Sequence, residues 1–214
     1  MDIRAMIAKR AAGFFEDGDL GNIGIGIPTL VVNYLPPDID VMLHSENGFI
    51  GLGPTPEPDE TDKDILNAGG YPVSIMPGGC CFDSASSFAL ARGGHVDITV
   101  LGALEVDEKG DFASWHIPGK LVPGMGGAMD LVSGAKKVII TMEHTTRDGA
   151  PKILNKCRLP LTAVGAVDFI VTELGVMEVT DKGIVLRELA PGVTAEDIQA
   201  KTEATLIIPD IVGV

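Results

Sequence analysis

The sequence predicts an open, largely parallel α/β sheet with helices on both faces. Three observations carry this expectation. Short, continuous apolar runs such as Val138-Ile139-Ile140 and Phe169-Ile170-Val171 suit strands covered on both sides. Helical periodicities alternate with these runs along the chain. Finally, 27 glycines against only 5% aromatic residues point to many tight turns and close backbone approaches.

At the N-terminus Ile3, Met6, Ile7, Ala11, Phe14 and Phe15 recur at helical spacing with Arg4, Lys9, Arg10 and Glu16 opposite, which predicts a first helix ending before Gly18. The apolar unit Asn22 to Ile27, followed by Pro28 and Thr29, reads as strand, glycine turn and a helix through Leu30 to Leu35. Val41-Met42-Leu43 is a buried strand that empties into the loop Ser45-Glu46-Asn47-Gly48, whose glycines continue at Gly51 and Gly53. Pro54 to Asp64, rich in Pro, Glu and Asp, is a solvated surface excursion. Asp83 caps a helix through Leu90 that Gly93-Gly94 closes, and Val96 to Val100 alternates as a strand. Val176 to Leu186 around Asp181-Lys182-Gly183 predicts a hairpin, and Thr194 to Lys201 a last helix. One domain spanning 1–214 is expected, since a chain of 214 residues can bury a full core.

Charge and composition narrow the function. A formal net charge of −14 argues against nucleic acid as a partner. No apolar stretch approaches the roughly 20 residues that cross a bilayer, and Met1-Asp2-Ile3-Arg4 opens no signal peptide, so a cytoplasmic protein with no membrane partner is expected. The three cysteines, Cys80, Cys81 and Cys157, are odd in number with two adjacent, which reads as reduced, buried thiols. The four histidines are scattered and no zinc-type spacing occurs, so no metal is expected. A dinucleotide fingerprint fails at each glycine pair: Thr29, Pro56 and Met129 stand where its third glycine belongs. Neither a Gly-x-Ser-x-Gly elbow nor a phosphate-binding Walker loop is present.

Ligands of open α/β sheets bind beyond the carboxyl ends of strands. Gly24 to Gly26, Ser45 to Gly53 and Gly124 to Gly127 are the candidates for that edge. Glu46, where a short buried strand ends, is the acidic residue left standing, and spacing alone does not decide between a catalytic and a solvated carboxylate.

Asn22 to Thr29, Ser45-Glu46-Asn47-Gly48 with Gly51 to Pro54, and Asn67-Ala68-Gly69-Gly70 resemble the B subunit of the 3-oxoacid, or acetoacetate, CoA-transferases. Arg92 to Asp97, Val106-Asp107-Glu108, Ile117 to Lys120, Gly124 to Val132 and Met142-Glu143-His144 continue the resemblance in the same order, over about residues 4 to 205. It implies CoA transfer between short-chain acyl-CoA and carboxylic acids such as acetoacetate, acetate, butyrate or succinate, with Glu46 as the covalent nucleophile of ping-pong chemistry. A carboxylate is already ionised at neutral pH and needs no histidine to become one. Coenzyme A is then a substrate, and no permanently bound cofactor is expected. Backbone amides of Gly126, Gly127 and Ala128, opening a helix at Met129, are the candidate oxyanion donors.

Gly24 and Gly26 either let the backbone reach substrate or the pantetheine arm, or serve close strand–helix packing. Gly48 joins them as a candidate CoA-site residue, and Asn47 either positions Glu46 or the thioester or completes a turn. His95 and His144 read as core histidines, and Cys80 and Cys81 as small buried hydrophobes. The resemblance also implies an A subunit as partner, in a heterodimer or heterotetramer. A hydrolase on the same scaffold and a non-catalytic partner subunit are the rival readings.

Overall fold

The computed structural model describes residues 2–120, 122 and 124–209; Met1, Leu121, Pro123 and 210–214 of the expected 1–214 domain lie outside them. In chain order the elements are α1 (Ile3–Ala12), β1 (Leu20–Ile23), a 3₁₀ helix (Ile27–Tyr34), β2 (Met42–Ser45), β3 (Phe49–Leu52), β4 (Ile75–Cys81), α2 (Ser84–Arg92), β5 (Ile98–Gly102), β6 (Glu105–Asp107), β7 (Phe112–Ala113), α3 (Ala128–Gly134), β8 (Lys137–Thr141), β9 (Ile153–Leu154), β10 (Phe169–Val171), β11 (Gly175–Thr180), β12 (Gly183–Leu189), α4 (Ala195–Ala200) and β13 (Leu206–Ile207). Ten strands form one sheet in the order β13-β12-β11-β10-β8-β5-β1-β2-β3-β4, and β7-β6-β9 form a small second sheet.

The centre of the large sheet, β2-β1-β5-β8-β10, is parallel throughout. Both flanks turn antiparallel, through β3 and β4 on one side and β11 and β12 on the other. Two apolar clusters cover its faces. Ile7, Ala8 and Ala11 of α1 and Val31 of the 3₁₀ helix pack on one. Ala91 of α2, Leu131 of α3 and Ile198 of α4 belong to the other. The expected sheet with helices on both faces is therefore the one observed, and burial on both sides explains the unbroken apolar runs of β8 and β10.

Several local expectations hold because their signals are short-range. Asp83 accepts from the Ser86 amide at the start of α2, and Thr194 with Asp197 forms a capping box on α4. Thr180 pairs with Gly183 across the Asp181-Lys182 turn. Others differ. The helix expected through Leu30 to Leu35 is a 3₁₀ helix, where Pro28 withholds an amide and the β-branched pair Val31-Val32 crowds an α turn. The strand before it stops at Ile23, since Gly24 gives its amide to the Val100 carbonyl at 2.8 Å and the chain then turns at Gly26, φ 95°.

Cys80 and Cys81 are exposed rather than buried, because β4 is the edge of the sheet and carries little over it. Cys157 is half-buried and free, with its thiol pushed up to about 12 by burial and then by the carboxylates of Asp107, Glu105 and Asp111. His95 is also exposed, at the surface after α2. No helix among the described residues is long and apolar enough to cross a membrane, and no three metal-ligating side chains gather there.

His144, by contrast, is a core histidine as expected. It is fully buried, and its two ring nitrogens lie 3.0 Å from Thr172 Oγ1 and 2.9 Å from Thr202 Oγ1. Burial, then the charges of Lys201 and Lys152, lowers its pKa from 6.5 to about 4. The unfolded chain thus takes up a proton as pH falls through 6.5 while the folded chain does not until about 4, so the folded state loses about 3 kcal/mol across that window. His144→Gln keeps one donor and one acceptor but does not titrate. The stability gap between wild type and this variant is expected to shrink by about 3 kcal/mol from pH 7 to pH 4 in urea denaturation. A gap that stays constant would contradict this origin of the acid sensitivity.

Candidate active site

Glu46 follows directly on β2, at the carboxyl end of the parallel block. His44 and Glu46 lie two residues apart and so face the same way from the strand. On the neighbouring β1, Asn22 is in register with His44, which brings its side chain beside both. Asn22 Nδ2 lies 3.2 Å from Glu46 Oε2, 3.2 Å from the His44 carbonyl and 3.3 Å from His44 Nδ1. Its two hydrogens are shared among these acceptors, and one carboxylate oxygen of Glu46 is held by a neutral donor.

The supporting shell is deep. Asn22, Ser87 and Thr99 are fully buried and His44 is 3% exposed. Since Asn22 Nδ2 can only donate, His44 Nδ1 accepts and Nε2 carries the proton, directed at Ser87 Oγ of α2 at 2.8 Å. Burial holds the imidazole below its ordinary pKa, against the opposing pull of Glu46. A neutral His44 keeps this acceptor role, and Thr99 Oγ1 donates to Asn22 Oδ1 at 3.5 Å. Asn22 opens the run Asn22 to Thr29 and His44 stands just before Ser45-Glu46-Asn47-Gly48, but neither motif assigns them a role at Glu46. Each is otherwise marked as a polar residue inside an apolar strand.

The residues flanking Glu46 build its surroundings. Asn47 Oδ1 accepts from Ser45 Oγ at 2.6 Å and its Nδ2 donates to the Leu66 carbonyl at 2.7 Å, while Ser45 Oγ accepts from the Ala68 amide at 3.1 Å. Ser45 and Asn47 thereby clamp the segment 66–68 beside the glutamate. The carbonyl of Gly48, φ 137°, accepts from the Phe82 amide at 2.8 Å, and a Cβ there would lie 2.3 Å from the Phe82 oxygen. Only glycine fits that crossing.

Of the glycine loop 124–127, Gly127 comes closest. A Cβ there would sit 3.5 Å from Glu46 Cγ and 2.7 and 2.9 Å from ring carbons of Phe88. Gly127 caps α3, and Gly126, φ 56°, has open space around it. The Ala128 amide turns back to the Met125 carbonyl at 3.4 Å, whereas no acceptor among the described residues takes the Gly126 and Gly127 amides. Gly24 packs within 2.9 Å of Leu101 when given a Cβ, and Gly26 starts the 3₁₀ helix in open space. A cavity of about 570 Å³ opens at Glu46, bounded by the 3₁₀ helix, β2, β3 and the segment 67–71.

A carboxylate with one oxygen fixed, a cavity at its tip and glycine backbone at its flank can attack an electrophilic carbonyl without a general base. Known proteins of similar sequence and fold are CoA-transferases. Acetate CoA-transferase subunit beta of Haemophilus influenzae is 55% identical over 210 residues, covering 98% of this chain and 94% of that one. Human mitochondrial succinyl-CoA:3-ketoacid coenzyme A transferase 2 is 53% identical over 94% of this chain, which spans only 39% of that protein. The acyl-CoA transferase YdiF of Escherichia coli O157:H7, solved as a thioester complex with CoA, superposes with a TM-score of 0.70 at 25% identity, over 98% of this chain and 42% of that one. Residues 4–201 match the Coenzyme A transferase family, and the chain belongs to it.

Proposed function

We propose that this chain is the glutamate-bearing subunit of a CoA-transferase that moves CoA between short-chain acyl-CoA and carboxylic acids such as acetoacetate, acetate, butyrate or succinate. The observation that carries this reading is the Glu46 carboxylate, held through Asn22 at a strand end where a cavity opens.

The reaction proceeds in two halves. Glu46 attacks the donor thioester carbonyl, forming an acyl-glutamyl anhydride and releasing CoA thiolate. The thiolate attacks the glutamyl carbonyl, giving a glutamyl-CoA thioester and the free donor acid. An acceptor carboxylate then attacks that thioester, and the thiolate released takes the acceptor's acyl group away as its CoA ester, restoring Glu46. Each tetrahedral oxyanion is served by the backbone at Gly126, Gly127 or Ala128, with Gly127 nearest the glutamate. Gly24, Gly26 and Gly48 shape the backbone around the CoA path, and Asn47 acts through the wall it clamps. Coenzyme A enters as a substrate, with no resident cofactor or metal in the scheme. Support for the thioester comes from YdiF, a relative solved in that state with CoA.

The subunit works with an A subunit, as a heterodimer or heterotetramer in the cytoplasm. Relatives of similar length are named subunit beta, and the human relative is more than twice as long. Ile25 and Tyr71, 69% and 67% exposed beside the Glu46 cavity, form an apolar rim suited to a covering surface. The chain purified alone is expected to show no CoA transfer, with activity appearing on addition of the A subunit and saturating at equal subunit numbers. Full activity from the lone chain would refute the heteromer. Thioester cleavage at the same rate without an acceptor acid would make the enzyme a hydrolase.

A further inference from the structure

Two obligate acceptors fix which way the Asn22 amide faces. The ionised Glu46 carboxylate and the His44 carbonyl have no hydrogen to give, and each lies 3.2 Å from the same Asn22 atom, which is therefore Nδ2. That atom also lies 3.3 Å from His44 Nδ1. Nδ1 is then bare, and the ring proton sits on Nε2, 2.8 Å from Ser87 Oγ. Asn22 and Ser87 are fully buried and His44 is 3% exposed, so these groups meet one another within this chain rather than solvent.

The rest of the imidazole's surroundings are uncharged. Phe82 stacks on it with ring centroids 6.5 Å apart, and Ile50 of β3 pairs with it across the sheet. Asp83, next along from Phe82, is exposed and spends its carboxylate on Ser86. Glu46 is left as the charge that acts on His44, raising its pKa against a larger lowering by burial.

A second proton on this ring undoes the arrangement. Nδ1–H then faces Asn22 Nδ2–H, donor against donor. Turning the amide over relieves that conflict but sets Oδ1 against the Glu46 carboxylate and the His44 carbonyl, acceptor against acceptor. In both cases Glu46 loses the donor that fixes Oε2, and the imidazolium draws the carboxylate's charge towards itself. We propose that His44 is a positioning residue and a pH switch for Glu46: neutral, it locks Asn22 with Nδ2 on the glutamate, and protonated, it breaks that lock and stops CoA transfer. The inference rests on the reading of Glu46 as covalent nucleophile.

His44→Gln supplies one acceptor for Asn22 and one donor for Ser87 but does not titrate. The test uses the enzyme assembled with its second subunit, with kcat/KM for acetoacetyl-CoA and the rate of CoA attachment to Glu46 followed from about pH 8 to about pH 4.5, around the range in which histidines titrate. In the wild type both rates are expected to fall about tenfold per pH unit once His44 titrates, below its ordinary 6.5. His44→Gln should stay within about threefold of the wild-type rate at about pH 8 and lose this acid limb. Circular dichroism at each pH corrects for unfolding, and His144 is present in both proteins, so its acid sensitivity cancels in the comparison. His44→Leu, with neither donor nor acceptor, should run about tenfold slower than wild type at about pH 8.

An acid limb that persists unchanged in His44→Gln overturns the proposal. So does a folded His44→Gln enzyme at background rate near neutral pH, or a His44→Leu enzyme that loses stability but no rate. If CoA still becomes attached to wild-type Glu46 in those cases, the transferase reading stands; if wild-type Glu46 acquires no CoA, both fall.

Discussion

Glu46→Gln is expected to reduce CoA transfer to background while leaving the fold intact. The amide keeps the shape and offers an oxygen to Asn22, whose Nδ2 lies 3.2 Å from the native Oε2. It has no anionic lone pair with which to open a thioester. Being only half-buried and paired with a neutral donor, the site contains no charge whose removal strands a partner. Thermal stability should therefore move by no more than about 0.5 kcal/mol. Glu46→Asp keeps the charge but withdraws it by one methylene from the point Asn22 defines, and a misplacement on that scale lowers the rate about 100-fold. Steady-state transfer from acetoacetyl-CoA to an acceptor acid, with a melting curve for each variant, measures both effects. A Glu46→Gln enzyme that retains substantial turnover would remove the glutamate from the mechanism.

Gly127→Ala should lower kcat by about 100- to 1,000-fold, the loss typical of one oxyanion donor. At φ −87° the backbone accepts alanine, so the substitution tests space rather than conformation. The new methyl group meets the Phe88 ring at 2.7 and 2.9 Å and approaches Glu46 Cγ to 3.5 Å. Phe88 is half-buried and its ring can turn aside, which keeps the stability change small for alanine. Gly127→Val crowds the ring further and loses stability as well. Shrinking the obstacle separates the two roles: Phe88→Leu combined with Gly127→Ala should regain stability but not the rate that depends on the loop's placement against Glu46. Unchanged kcat with a large drop in melting temperature for Gly127→Ala would assign this glycine to packing between α2 and α3.

The parts of this molecule that could be read from the sequence are those set by neighbours in the chain. The apolar stripe of α1, the Asp83 and Thr194 caps and the Asp181-Lys182 turn all depend on residues within one or two turns. β4 was illegible because Pro77-Gly78-Gly79 reads as a turn, and such residues are tolerated only where an edge strand has no partner on one side. The same edge position exposes Cys80 and Cys81, which burial statistics place inside. Glu46 itself could be singled out by a motif, but its support could not. Asn22, His44, Ser87 and Thr99 come from four separate elements, and only the β1–β2 and β1–β5 registers and the packing of α2 bring them together. Nor could the spacing of the glycines tell that Gly127 borders the glutamate while Gly24 lies against Leu101.

The central claim is that Glu46 carries CoA during turnover. It is tested most directly by mixing the assembled enzyme with acetoacetyl-CoA in the absence of acceptor, quenching in acid and mapping the modified peptide by mass spectrometry. The account predicts a CoA adduct on the peptide containing Ser45-Glu46-Asn47, in thioester linkage that an acceptor acid discharges. An active enzyme that carries CoA on another residue, or on none, would contradict it.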